Sequence, residues 1–159
     1  MSALYNAIKD CNLAEIKSQI AKLDGRFQAY YTTDYDDFSR DHEYSPLQVL
    51  IESKHPQKQS YAIIEYLLVH HRDEIELEQT ADYHRGNKCY RITALLYAVR
   101  HGRLDVVKLL LQYGALVTAK TTPNRWSILH IAGQSTKPLE MGQFLLDNHK
   151  DQLDINYMS

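Results

Sequence analysis

Long apolar runs are missing from this 159-residue sequence. No stretch approaches the ~20 apolar residues that span a bilayer, and Met1-Ser2-Ala3-Leu4 lacks the basic region and apolar core of a secretory signal. Membrane insertion is not expected, and a cytoplasmic protein is. Cysteine is scarce: Cys11 and Cys89 stand alone, with neither the paired spacing of a zinc site nor the density of a disulfide scaffold. Both are expected to be free thiols. Glycine-rich phosphate loops, a nucleophile elbow and a Cys-His catalytic signature are absent too, so no catalytic residue and no cofactor is expected. Finally, 18 basic residues nearly balance 20 acidic ones, and the net charge of −2 gives no general attraction to nucleic acid.

What is present is ordinary globular chemistry with an unusual distribution. A hydrophobic content of 44% beside 24% charge suffices for one domain with its own core. The charge is polarised along the chain: residues 1–82 carry 15 acidic and 8 basic side chains (−7), and residues 83–159 carry 5 and 10 (+5). Such a dipole steers and orients a partner more than it folds a chain.

The periodicity is helical and recurs. In ITALLYAVRHGRLDVVKLLLQYGA (92–115), Thr93 is an N-cap, Leu95, Ala98 and Val99 share a face, and Gly102 breaks the helix. Leu104, Val107, Leu110 and Leu111 then mark a second helix, which Gly114 ends. WSILHIAGQSTKPLEMGQFLL (126–146) repeats the pattern with Ser127 as cap, Leu129 and Ala132 on its first helix, and Met141, Leu145 and Leu146 on its second. Upstream, Ser45-Pro46-Leu47 places a cap, a first-turn proline and an apolar anchor before Ile63, Ile64, Leu67 and Leu68. Ser2-Ala3-Leu4 opens a short first copy with Ala7, Leu13, Ile16 and Ile20. The cap-to-cap spacings of 43, 48 and 34 residues differ because of an insertion at 55–59 and long connections at 24–44 and 72–92. Loops of that length inside a domain are often functional.

These segments resemble ankyrin repeats, whose consensus reads G-x-T-P-L-H-x-A-x-x-x-G-x-x-x-V-V-x-x-L-L-x-x-G-A. TALLYAVRHGRLDVVKLLLQYGA and SILHIAG are the closest copies, and SPLQVLI is a weaker one. The resemblance implies an all-α solenoid of about four helix-turn-helix repeats with long finger loops. They fall at approximately 1–24, 40–71, 88–115 and 122–149 in a single domain over 1–159. A lone pair of short helices cannot bury its apolar stripe, so such repeats become stable only by stacking. The resemblance also implies that the segment before each cap projects as a hairpin-like finger, and that fingers and first helices line a concave binding face.

By that correspondence the partner-binding candidates are Asp41, His42, Tyr44 and Glu52 in the second repeat, Cys89, Tyr90, Ile92, Arg100 and His101 in the third, and Asn124, Trp126 and Gln134 in the fourth. Trp, Tyr and Arg dominate interface energetics. Tyr90 and Trp126 equally suit packing of one finger on the next. The stretch Tyr30 to Tyr44 mixes five aromatics with five carboxylates, either gripping a basic apolar peptide or folding back over the first repeat. His70, His71, His84 and Cys89 form the one His/Cys cluster, but its linear spacing matches no zinc pattern, and no metal is expected. His130 sits where the family uses histidine to bond a neighbouring repeat's backbone.

The function these readings imply is protein binding by an adaptor, scaffold or inhibitor, with a partner of unknown identity, and a chain that is monomeric alone. The polarised charge points to a partner bearing both signs. An alternative is the recognition domain of a larger enzyme, or of a secreted bacterial effector acting in host cytosol, since Leu153 to Ser159 resembles the start of a further finger. Basic residues such as Arg100, Arg103, Lys108 and Lys120 fall on different helix faces, which argues against a nucleic-acid stripe.

Overall fold

The computed structural model describes residues 3–23, 32–33 and 43–153. The chain divides into two compact units, Met1–Glu76 and Leu77–Ser159.

In the Met1–Glu76 unit, helices α1 (Ala3–Lys9) and α2 (Leu13–Lys22) pack as a pair, and α3 (Pro46–Glu52) and α4 (Gln57–His70) as another. The first helices of the two pairs, α1 and α3, lie against each other. The Ser2 cap expected for α1 lies outside the described residues. Asn12 caps α2 by accepting from the Glu15 amide at 3.1 Å. Ser45 caps α3 as expected: its hydroxyl accepts from the Gln48 amide at 3.2 Å while the Gln48 side chain accepts from the Ser45 amide, with Pro46 at the first helical position. Ile16, Leu50, Ile64, Leu67 and Leu68 fill the interior. The expected insertion at 55–59 is mostly helix, because α4 starts at Gln57 just after Pro56 and runs for 14 residues. Strands β1 (Thr32–Thr33) and β2 (Glu43–Tyr44) pair antiparallel within the long 24–44 connection.

The Leu77–Ser159 unit begins with a β-hairpin. β3 (Thr80–Arg85) and β4 (Lys88–Thr93) pair antiparallel around Gly86-Asn87, with Tyr83 opposite Tyr90 and His84 opposite Cys89. Gly86 takes φ +61°, the left-handed value that the first central position of a II′ hairpin requires. The hairpin runs straight into α5 (Ala94–Arg100), capped by the Thr93 hydroxyl on the Leu96 amide at 3.4 Å. α6 (Leu104–Gln112) pairs with α5, and α7 (Ile128–Gly133) pairs with α8 (Pro138–His149), with α5 against α7. Leu95, Leu96, Val107, Leu110, Ile128, Met141 and Leu145 form the core.

The all-α class holds for the paired helices, while among the described residues the fingers carry two two-stranded sheets. Two sequence expectations change here. Leu129 is only partly buried and Leu146 is 41% exposed, because α7 turns Ile128, Ile131 and Ala132 inward and α8 turns Met141 and Leu145 inward. His130 serves its own helix: its Nδ1 accepts from the Ser127 amide at 3.3 Å and lies 2.8 Å from the Ser127 hydroxyl, a capping role.

Candidate functional site

Alternation along the hairpin sorts its side chains onto two faces. Tyr83, Arg85, Lys88, Tyr90 and Ile92 share one; Asp82, His84, Cys89 and Arg91 share the other.

The tyrosine face joins the finger to α5. Tyr83 meets Tyr97 edge-on at 6.1 Å and Tyr90 at 6.5 Å; Tyr97 lies 4.5 Å from His101, and Tyr90 stacks on Trp126 at 5.0 Å and 28°. A continuous aromatic run from Trp126 to His101 results. Arg100, at the end of α5, binds both sides of it. Its Nε donates to the Tyr83 hydroxyl at 3.0 Å and a terminal nitrogen donates to the Gln134 carbonyl. Arg85 in turn donates to the Gln134 side-chain oxygen at 2.8 Å. The finger, the end of α5 and the end of α7 are therefore fastened by two guanidinium groups.

The next finger leans on the first. Arg91 and Thr122 exchange backbone hydrogen bonds of 2.9 and 3.1 Å, and Thr121 accepts on its hydroxyl from the Trp126 amide at 3.0 Å while donating its own amide to the Trp126 carbonyl at 3.0 Å. Between them Arg125 holds φ +54°, a conformation uncommon for a side chain this large. This fixes the indole against Tyr90.

The structure places the sequence candidates as follows. Arg100, His101, Trp126 and Gln134 come together, partly exposed, on the tyrosine face, and Asn124 is exposed at the tip of the second finger. Tyr90 (5% exposed) and Ile92 (1%) are buried, so they support the finger and do not present it. Cys89 is exposed but on the opposite face from Tyr90. Glu52 is exposed at the end of α3 in the other unit. Asp41 and His42 lie outside the described residues, as do most of the aromatic and acidic stretch from Tyr30 and the Tyr44 side chain. Sequence reasoning missed Tyr83, Arg85 and Tyr97. For Tyr83 and Arg85 the signal was available in alternation about Gly86-Asn87, which marks a hairpin and therefore a shared face.

On the other hairpin face, one ligand atom from each of Asp82, His84 and Cys89 lies within 4.8 Å of the others. Burial pushes the Cys89 thiol above its ordinary range, and the Asp82 charge and its hydrogen bond to the thiol add to the effect. His70 and His71, grouped with His84 and Cys89 from the sequence, lie in the other unit, where they contact the Tyr66 ring. His84 and Cys89 are brought together instead by strand register.

Paired short helices, with Ser45, Thr93 and Ser127 capping the first helices of three pairs, define a helix-turn-helix repeat protein. The profile of ankyrin repeats matches residues 55–158 in three copies, and the chain belongs to the ankyrin-repeat family. No curated protein matches the sequence. Ankyrin repeats are in general protein-interaction modules. Among the described residues no helix is long and apolar enough to cross a membrane.

Proposed function

We propose that the chain binds a partner protein through the tyrosine face of the Leu77–Ser159 unit, as an adaptor, scaffold or inhibitor, and that this is a binding role and not a catalytic one. The aromatic run from Trp126 to His101, fastened by Arg100 and Arg85, carries the reading. Large, rigid aromatic area beside arginine is the chemistry of interface hot spots, because it buries surface at limited entropic cost. The pre-fastened finger lowers the ordering cost of association further.

The charge of this face narrows the partner. Arg85, Lys88 and Arg100 sit along it, whereas Asp82 points to the other side of the hairpin. An acidic segment of the partner fits, and its association slows as salt rises. The acidic counterpart expected around Asp41 lies outside the described residues, so the proposal is confined to this unit.

Immobilised chain captures the partner from cell lysate, and titration with the purified partner then tests the face. Trp126→Ala is expected to weaken affinity by about 2 kcal/mol and Arg85→Ala by about 1 kcal/mol, with thermal unfolding monitored in parallel. Arg100→Ala is the less clean probe, since it releases both Tyr83 and the Gln134 backbone carbonyl, whereas Arg85→Ala gives up only an exposed contact to the Gln134 side chain. Unchanged affinity in both variants rules this face out.

A further inference from the structure

We propose that Asp82, His84 and Cys89 form a binding site for a thiophilic divalent cation of the zinc class, built on the face of the β3–β4 hairpin that the protein-binding role does not use. Three observations converge on it.

The first is register. In a hairpin closed by a two-residue turn, Arg85 and Lys88 form the hydrogen-bonded pair next to the turn, so His84 and Cys89 form the following non-hydrogen-bonded pair. Such pairs hold their side chains closest. The outward hydrogen bonds of Arg91, to Thr122, agree with the same phase two residues on. Asp82, two residues before His84 on the same strand, joins them on that face.

The second is donor chemistry and distance. A thiolate, an imidazole and a carboxylate suit Zn²⁺ or Co²⁺ and disfavour Mg²⁺ and Ca²⁺, which take oxygen ligands. Tetrahedral zinc with bonds of about 2.0–2.3 Å places its ligand atoms about 3.3–3.6 Å apart. The three ligand atoms here all lie within 4.8 Å of one another, so a contraction of at most about 1.5 Å by side-chain rotation closes the site.

The third is the surround. Asp82 is already held from behind: Arg91 lies 3.7 Å from it and is itself anchored by donating to the Thr80 hydroxyl at 3.2 Å and the Thr80 carbonyl at 3.0 Å. Partners of this kind orient metal ligands. Cys89 is exposed, so water reaches the fourth position. On binding, the Cys89 Sγ–H bond breaks, its proton leaves to buffer and an Sγ–metal bond forms, with no change of oxidation state.

Co²⁺ titration of the full chain under reducing conditions tests the proposal, because a thiolate–cobalt charge-transfer band reports this sulfur and not adventitious histidine binding. The expected result is one Co²⁺ per chain with that band, displaced by Zn²⁺ and not by Mg²⁺ or Ca²⁺. Cys89→Ser, at an exposed position, should abolish the band, and His84→Ala and Asp82→Asn should each weaken binding by about tenfold or more. Cys11→Ser should leave the band unchanged, since Cys11 is buried in the other unit beside Ser53. A chain that shows no band, a band that survives Cys89→Ser, or equal competition by Mg²⁺ overturns the site. Should His84→Ala fail to fold, the Cys89→Ser and Cys11→Ser pair still decides it.

Discussion

Replacing Gly102 by alanine is the sharpest perturbation the helix pairs offer. Gly102 sits at φ +67° just past α5, and that turn lets its amide reach the Val99 carbonyl at 3.1 Å while the Arg103 amide reaches Ala98 at 3.0 Å. This is a Schellman ending, in which a left-handed residue satisfies two helix carbonyls. A methyl group there meets two costs. The left-handed backbone is unfavourable for an L side chain by about 1–2 kcal/mol. The added Cβ would also clash with the Thr136 hydroxyl oxygen and lie 3.1 Å from Lys137 Cγ, so the turn before α8 must shift. Because Thr136 Oγ1 can rotate away, this second part adds only about 1 kcal/mol. The sum is about 2–3 kcal/mol, which at a slope of about 2 kcal/mol per molar moves a urea midpoint by about 1 M. Urea unfolding followed by circular dichroism measures it. Thr136→Ala in the same background should recover the clash and not the backbone strain, leaving about half of the loss. A midpoint unchanged by Gly102→Ala would show that the left-handed turn is not what holds α5 and α6 together.

Leu110 is fully buried in α6, and Leu110→Ala should destabilise the Leu77–Ser159 unit by about 2–5 kcal/mol through lost burial and a cavity, read by the same urea titration. Asp105 gives a pH dependence. Burial alone would raise its carboxyl, but the Arg103 hydrogen bonds at 3.1 and 2.9 Å and the guanidinium charge outweigh that and hold it below the ordinary range. A depressed folded-state value means the stabilisation is present above the unfolded value, near pH 4, and disappears as pH falls through the folded one. Asp105→Asn should therefore cost about 1 kcal/mol near pH 7, reduced by the solvent exposure of the carboxylate, and its gap from the parent should close in stronger acid.

The helical pairs were legible because their signals are local. Ser45, Thr93 and Ser127 stand at helix starts, Gly102 and Gly114 at ends, and the apolar spacing of α6 names Val107 and Leu110 as core. Errors of one position are equally local in origin. Neighbouring residues on a helix differ by about 100°, so in the six-residue α7 either Ile128 or Leu129 can anchor the inner face, and packing chose Ile128. The finger was less legible, since its meaning lies across strands. Nothing in the linear separation of His84 and Cys89 shows that they face each other until Gly86-Asn87 is taken as the turn that sets their register. For the same reason Cys89 and Tyr90, adjacent in the chain, were assigned to one surface although the pleat sends them to opposite ones.

That pleat makes the two proposed roles of the hairpin separable by experiment. Tyr83 and Tyr90 hold the finger to α5 and Trp126 on one side, and Asp82, His84 and Cys89 form their cluster on the other. The backbone between them is pinned at its base by Thr93 capping α5 and by Arg91 pairing with Thr122. A side chain changed on one face therefore has little leverage on the other. Cys89→Ser should abolish the cobalt band and leave partner affinity within about twofold, whereas Trp126→Ala should lower partner affinity and leave the band intact. Loss of both functions in either single variant would mean that the hairpin moves as a whole, and that cation occupancy and partner binding share one conformational equilibrium.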